Sequence, residues 1–164
     1  MIRAALLGLC LLLAACATPT SLPSALPNLG LPLTLHIQHS DGALAEDWLL
    51  VIQTEDRGLR WSLFDPLGVP LARQQLLDAE WHNDGLLPPN PQARELFAAL
   101  LFALTPSAQL ARVYPSASWQ LDADGQRRLN PQWRIDYRAP LDFTLNHAAG
   151  PRYRVSALTP QAGS

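Results

Sequence analysis

From Leu33 onward, apolar residues return on every second position in one short segment after another. Leu33, Leu35 and Ile37 alternate with Thr34, His36 and Gln38, and Trp48, Leu50 and Ile52 share one parity of the next run. Leu59, Trp61 and Leu63 follow, then Val69 and Leu71, then Ala79 and Trp81. The pattern resumes with Trp119 and Leu121, with Trp133, Ile135 and Tyr137, with Leu141, Phe143 and Leu145, and with Tyr153 and Val155. A period of two sends alternate side chains to opposite faces, so each run is expected to be a half-buried antiparallel strand. Turn chemistry separates the runs: Ser40-Asp41-Gly42, Asp56-Arg57-Gly58, Asp65-Pro66-Leu67-Gly68, Asn83-Asp84-Gly85, Asp124-Gly125 and Ala149-Gly150-Pro151.

One segment breaks the alternation. Asn90 can cap a helix and Pro91 suits its first turn. Ala93, Leu96, Phe97, Leu100, Leu101 and Leu104 then form a helical stripe, and Thr105-Pro106 stops it. The opposite side, Ala98, Ala99, Phe102 and Ala103, is apolar too, so the helix is expected to be buried on more than one side. The order is about five strands, a helix, then four or five strands. A wide sheet with one greasy face must cover it. Either it curls around a solid core, or part of that face lines a cavity. The inward residues are Leu35, Ile37, Trp48, Leu50, Ile52, Trp61, Leu63, Trp119, Trp133, Ile135, Phe143 and Tyr153.

The first 15 of the 164 residues read as an export signal: a positive start at Arg3, an apolar run from Ala4 to Leu13, and small residues before Cys16. Leu13-Ala14-Ala15-Cys16 resembles the bacterial lipobox, which marks Cys16 for acylation. Cys10 leaves with the signal, so Cys16 is the one mature thiol and no internal disulfide can form. Several acyl chains, at ~0.8 kcal/mol per buried methylene, give stable anchoring. Ala17 follows the cysteine where enteric bacteria place Asp for inner-membrane retention. The resemblance therefore implies the periplasmic face of a Gram-negative outer membrane. An ordinary secreted protein cut near Ala15 is the alternative.

Residues 16–32 carry Pro19, Pro23, Pro27 and Pro32 among Ser, Thr and Asn. This spacing favours an extended tether, at ~3.1 Å per residue reaching ~50 Å at most. Packing onto the domain as irregular coil is the alternative. Residues 33–160 make a single domain, since what remains after the signal is too small for two.

Function classes can be excluded from composition. All 12 basic residues are Arg, net charge is −2 and no basic patch stands out, so nucleic acid is not an expected partner. His36, His39, His82 and His147 lack metal-ligand spacing, and no nucleophile elbow or phosphate-binding glycine loop occurs. No metal, no cofactor and no enzymatic activity are expected. Arg127-Arg128 reads as a solvated turn that could touch anionic headgroups.

The chain resembles a family of uncharacterised proteobacterial lipoproteins, often encoded with genes for aryl-polyene or fatty-acid-type synthesis, which is itself similar to the LolA/LolB superfamily of lipoprotein-localisation proteins. The resemblance runs from the lipobox to about Leu158. Its most specific piece is Leu59-Arg60-Trp61-Ser62-Leu63-Phe64-Asp65-Pro66-Leu67-Gly68, and Trp133-Arg134-Ile135-Asp136-Tyr137 with the two runs after it is also similar. It implies a mainly β (α+β) fold: an unclosed antiparallel β-barrel of about 9–11 strands with a helical lid over a hydrophobic cavity. By that resemblance the twelve inward residues line the cavity. Leu86, Leu87, Leu96, Phe97, Leu100 and Leu101 form the lid, and Asp65, Pro66, Leu67 and Gly68 form a membrane-insertion loop with Leu67 at its tip. Leu67 folding back on the core is the alternative.

The chain departs from LolB in having a proline-rich stretch where LolB has a helix, and in showing one evident helix. The function implied is an anchored monomer that accepts acyl chains of a lipid or lipoprotein, with a LolA-like periplasmic carrier as donor, and delivers them to the outer membrane. A structural envelope lipoprotein with a filled interior, serving a partner in an export or aryl-polyene-type system, is the other hypothesis.

Overall fold

The computed structural model describes residues 19–158. The signal and Cys16 lie outside the described residues, as do the last two residues of the expected domain. Ten strands follow the alternating runs. β1 (Leu33–Asp41), β2 (Leu44–Glu55), β3 (Gly58–Phe64), β4 (Pro70–Leu77) and β5 (Glu80–Asn83) form one meander. β6 (Trp119–Leu121), β7 (Arg127–Leu129), β8 (Trp133–Ala139), β9 (Asp142–His147) and β10 (Arg152–Ala157) form the other. β1 pairs with β10, which joins the meanders into one antiparallel sheet of order β5-β4-β3-β2-β1-β10-β9-β8-β7-β6. The sheet is unclosed, with β5 and β6 as its edges.

That order decides where the helices go. The chain leaves β5 at one edge and must re-enter at β6 on the other, so the connection crosses the inner face. It does so as α1 (Pro91–Leu104) and α2 (Ser107–Val113). Asn90 caps α1 by accepting a hydrogen bond from the Ala93 amide, Pro91 opens it, and Thr105 closes it. Nine of its 14 residues are buried. Phe97 packs against Trp61 of β3 and Trp81 of β5, at ring separations of 5.4 and 5.9 Å. The Tyr137 hydroxyl of β8 donates to the Ala103 carbonyl at 2.7 Å. Both wings of the sheet thus touch one helix, and the sheet wraps it.

α2 was not anticipated. It has seven residues, its N-cap is Pro106, and no side chain caps it. A segment that short shows too little periodicity to be recognised.

Three expectations need correction here. α1 is no hinged lid over an empty cavity: Leu96, Phe97, Leu100 and Leu101 are at most 1% exposed and fill the concave side. In β4 the inward parity passes to Ala72, Gln74 and Leu76, because the β3–β4 register shifts between Leu63 and Phe64. Val69 is exposed, and Leu71 is half-buried. Finally, the proline-rich stretch is no free tether from Pro19 on. Pro23 and Pro27 are buried, and Leu22, Leu29 and Leu31 pack against the core. The Ser24 amide donates to the Val113 carbonyl at 2.8 Å and the Asn28 amide to Gln109 Oε1 at 3.1 Å. The apolar edge left by α2 gives this strap a surface to bury, which outweighs the preference for solvated extended chain.

The strands' turns sort into two ends. The near end holds the turns at 42–43, 65–69, 130–132 and 148–151, together with the start of α1. The far end holds those at 56–57, 78–79, 122–126 and 140–141. The strap enters at the near end, where Thr20 accepts a hydrogen bond from Trp133 Nε1 and donates to Glu95.

Candidate functional site: a cleft beneath the Leu67 loop

The near end carries an open cleft of about 610 Å³ between the β1–β2 hairpin, the β3–β4 loop and the first turns of α1. Trp48 stands on the inward parity of β2 but too near the hairpin tip for α1 to cover it, so it is half-buried. His39 stacks on Trp48 at 4.5 Å and 13°, and also on Tyr153 at 5.1 Å. Trp48 and Tyr153 both face the cleft. Leu63, Leu71, Ala93 and Leu96 make its apolar floor, while Glu46, Asp47, Asn90 and Gln92 supply a polar rim. Burial pushes the Tyr153 phenol up from its ordinary value; a hydrogen bond with Gln92 partly offsets this, and the Asp41 charge adds to it. The phenol therefore stays protonated, a neutral donor, across the whole physiological range.

The β3–β4 loop overhangs this cleft, and Asp65 and Pro66 are part of its wall. Asp65 Oδ1 accepts from the amides of Leu67 at 2.9 Å and Val69 at 2.8 Å, and the Gly68 amide donates to the Asp65 carbonyl at 3.0 Å. Gly68 has φ of 81°, a value that disfavours any side chain. Held in this way, Leu67 points outward and is 87% exposed. The alternative in which Leu67 folds back on the core does not occur.

Of the twelve residues expected to line a cavity, the cleft gathers Trp48, Leu63 and Tyr153, and of the expected lid it takes Leu96. Leu35, Ile37, Leu50, Ile52, Trp61, Ile135 and Phe143 pack instead in the solid core with Phe97, Leu100 and Leu101. The reason is α1, which lies where an interior cavity would be. Trp119 is half-buried against Phe102. Trp133 borders a separate polar cleft. Leu86 is fully exposed and Leu87 half-buried, both outside the cleft.

Sequence reasoning placed Leu71 on an alternating run but not at a site, and it missed Gln92 and the stacking of His39. His39 shares the parity of Leu35 and Ile37, which was the available signal. The far end has a second, more apolar cleft of about 910 Å³ between the strap, the end of α1 and β8. Among the described residues no three His, Cys, Asp or Glu side chains gather as a metal site, and no helix is long and apolar enough to cross a membrane.

No protein-family profile and no curated protein matches the chain.

Proposed function

We propose that this chain is an outer-membrane lipoprotein of LolA/LolB-like fold, anchored through Cys16. It takes an acyl chain of a lipid or lipoprotein into the near-end cleft and passes it to the bilayer past Leu67. The observation that carries the reading is that cleft and loop are one structure: the turn that exposes Leu67 also walls the Trp48–Tyr153 pocket. Affinity comes from apolar burial at ~25 cal/mol per Å², and the cleft's volume lies within the range of small-ligand sites. A LolA-like carrier is the donor in this scheme, and the protein acts as a monomer without cofactor or catalysis.

The solid packing of α1 favours one alternative, an accessory lipoprotein that binds a protein partner and holds no ligand. The two are separated by loading the mature protein with a photoactivatable fatty acid. The transport reading expects cross-links at Trp48, Gln92, Leu96 or Tyr153, and transfer of the probe to acceptor vesicles. Leu67→Glu should keep the fold, with stability within about 0.5 kcal/mol of the parent because the side chain is solvated, while transfer is lost. Absence of cross-links in the cleft leaves the accessory reading.

A further inference from the structure

The outer face of the sheet carries a row of residues whose register runs Gln120, Arg128, Arg134, Asn146, Arg152, Ser40 across β6, β7, β8, β9, β10 and β1. It is the last complete row before the near-end turns. It holds three arginines and no acid. Arg128 and Arg134 are direct cross-strand partners, an arrangement that repels unless an anion lies between them. Strands lie about 4.8 Å apart, so Arg128 and Arg134 are within reach of one phosphate and Arg152 stands two strands further along.

Among the described residues, the hydrogen bonds and ion pairs of these three arginines run through Nε. Arg128 reaches Asp122 at 3.2 Å, Arg134 reaches Asp136 at 3.3 Å, and Arg152 reaches Asn146 at 3.0 Å. Their terminal nitrogens remain for oxyanions, which guanidinium forks bind in pairs. All three border the polar near-end cleft of about 890 Å³.

Two further observations fix what lies opposite. The same end exposes apolar tips, Leu44 at 72%, Leu67 at 87% and Val69 at 53%. It is also where the chain enters the domain, since Thr20 is bound to Trp133 beside this row. Only three residues separate Cys16 from Thr20. The strap is docked, so an acylated Cys16 brings the bilayer within about 14 Å of this end and not the far one. In the far-end turns Asp56, Asp78, Asp122 and Asp124 stand against Arg57, whereas Asp65 is the one acid in the near-end turns and Asp41, Glu46 and Asp47 lie on the strands of the β1–β2 hairpin, in the part of the sheet away from the arginines of β7 and β8.

We infer that Arg128, Arg134 and Arg152 form a binding site for anionic phospholipid headgroups, which with Leu44, Leu67 and Val69 seats the near end of the sheet on the bilayer. This rests on the anchoring at Cys16 proposed above.

The test uses the mature lipidated protein in vesicles of phosphatidylcholine, alone or mixed equally with phosphatidylglycerol. Acylation occupies Cys16, so a single new cysteine takes an environment-sensitive dye. Dyes at Leu44→Cys and Leu67→Cys are expected to shift to shorter wavelength, more so in the anionic vesicles, while a dye at the far-end Leu121→Cys does not. Replacing the three arginines by Gln should abolish the anionic increment and leave the neutral-vesicle signal intact. Inorganic phosphate should not erase the increment. A shift at Leu121 instead, or no shift at either near-end position, overturns the docking. An equal shift in both vesicle types, an increment that survives the triple substitution, or one erased by phosphate overturns the headgroup site. Mass spectrometry of Cys16 separates these failures from failure of the anchoring itself: an unacylated cysteine sinks both readings, an acylated one with the wrong dye response sinks this one alone.

Discussion

Arg127 ties the sheet to the helical connection. Its side chain is buried, and Nη1 donates to the carbonyls of Phe102, Ala103 and Thr105 while Nη2 donates to Ser107 Oγ. The three carbonyls lie at the end of α1, where backbone acceptors outnumber intrahelical donors and the helix dipole favours a cation. The sequence suggests a solvated turn for Arg127-Arg128, but strand parity splits the pair: Arg127 points inward and Arg128 outward. Arg127→Met should cost about 1–3 kcal/mol in urea unfolding, since the buried Thr105 carbonyl loses its donor while those of Phe102 and Ala103 keep the Thr105 amide and the Tyr137 hydroxyl. Tyr137 lies under the same guanidinium, 5.0 Å from its ring centre. Burial pushes its phenol up to about 12, with the Arg127 charge pulling back. The unfolded chain ionises near pH 10, so the folded state holds its proton more tightly. That contribution is whole below pH ~10 and is lost as pH rises toward ~12. Stability followed by denaturant titration should therefore fall across this window, and Tyr137→Phe should lessen the fall, the remainder coming from Tyr114 and Tyr153, which burial also raises. The variant should also lose about 1 kcal/mol at neutral pH with the hydrogen bond to Ala103.

At the scale of elements, α1 is a plug, and its leucines are core residues. Leu100→Ala should destabilise by roughly 2–5 kcal/mol, measured by chemical denaturation, because a side chain with no exposure leaves a cavity behind. Strands and this helix were legible because their signals are local: parity of two in the runs, Asn90 and Pro91 at one end, Thr105-Pro106 at the other. The filled interior was not legible. Trp61 and Phe143 have the same inward parity whether a helix or a ligand faces them, and periodicity does not say which. The loop at Asp65 was legible as a turn, since Asp, Pro and Gly each fix one backbone feature. The docking of the strap was hidden, because its partners, Val113 and Gln109, lie on a helix too short to foresee. Replacing Leu22 and Leu29 by Ser should free the strap. Amide exchange at Ser24, bonded to Val113, should then accelerate while the central β1 and β10 amides keep their protection.

For the whole molecule, the decisive join is β1 with β10, strands more than 110 residues apart that pair over six registered positions from Leu35↔Ala157 to Ser40↔Arg152. Each meander taken alone would expose an open inner face. The same helix covers both, with Trp61 and Trp81 on one wing and Arg127 and Tyr137 on the other. Neither wing can leave without stripping α1, so the two should unfold as one unit. Val155 sits at the centre of the join, registered with Ile37 on one side and Phe143 on the other, and is fully buried. Val155→Ala removes buried apolar groups there and should cost about 1–3 kcal/mol. Native-state hydrogen exchange gives the sharper reading. Central amides of β3 and of β8 should open with the same free energy, and the substitution should lower both by the same amount. A drop confined to β8 would mean that the meanders open separately. Joint opening bears on the function proposed above: in that scheme the route for an acyl chain is the near-end cleft, past Trp48 and Leu96, and not a parting of the wings.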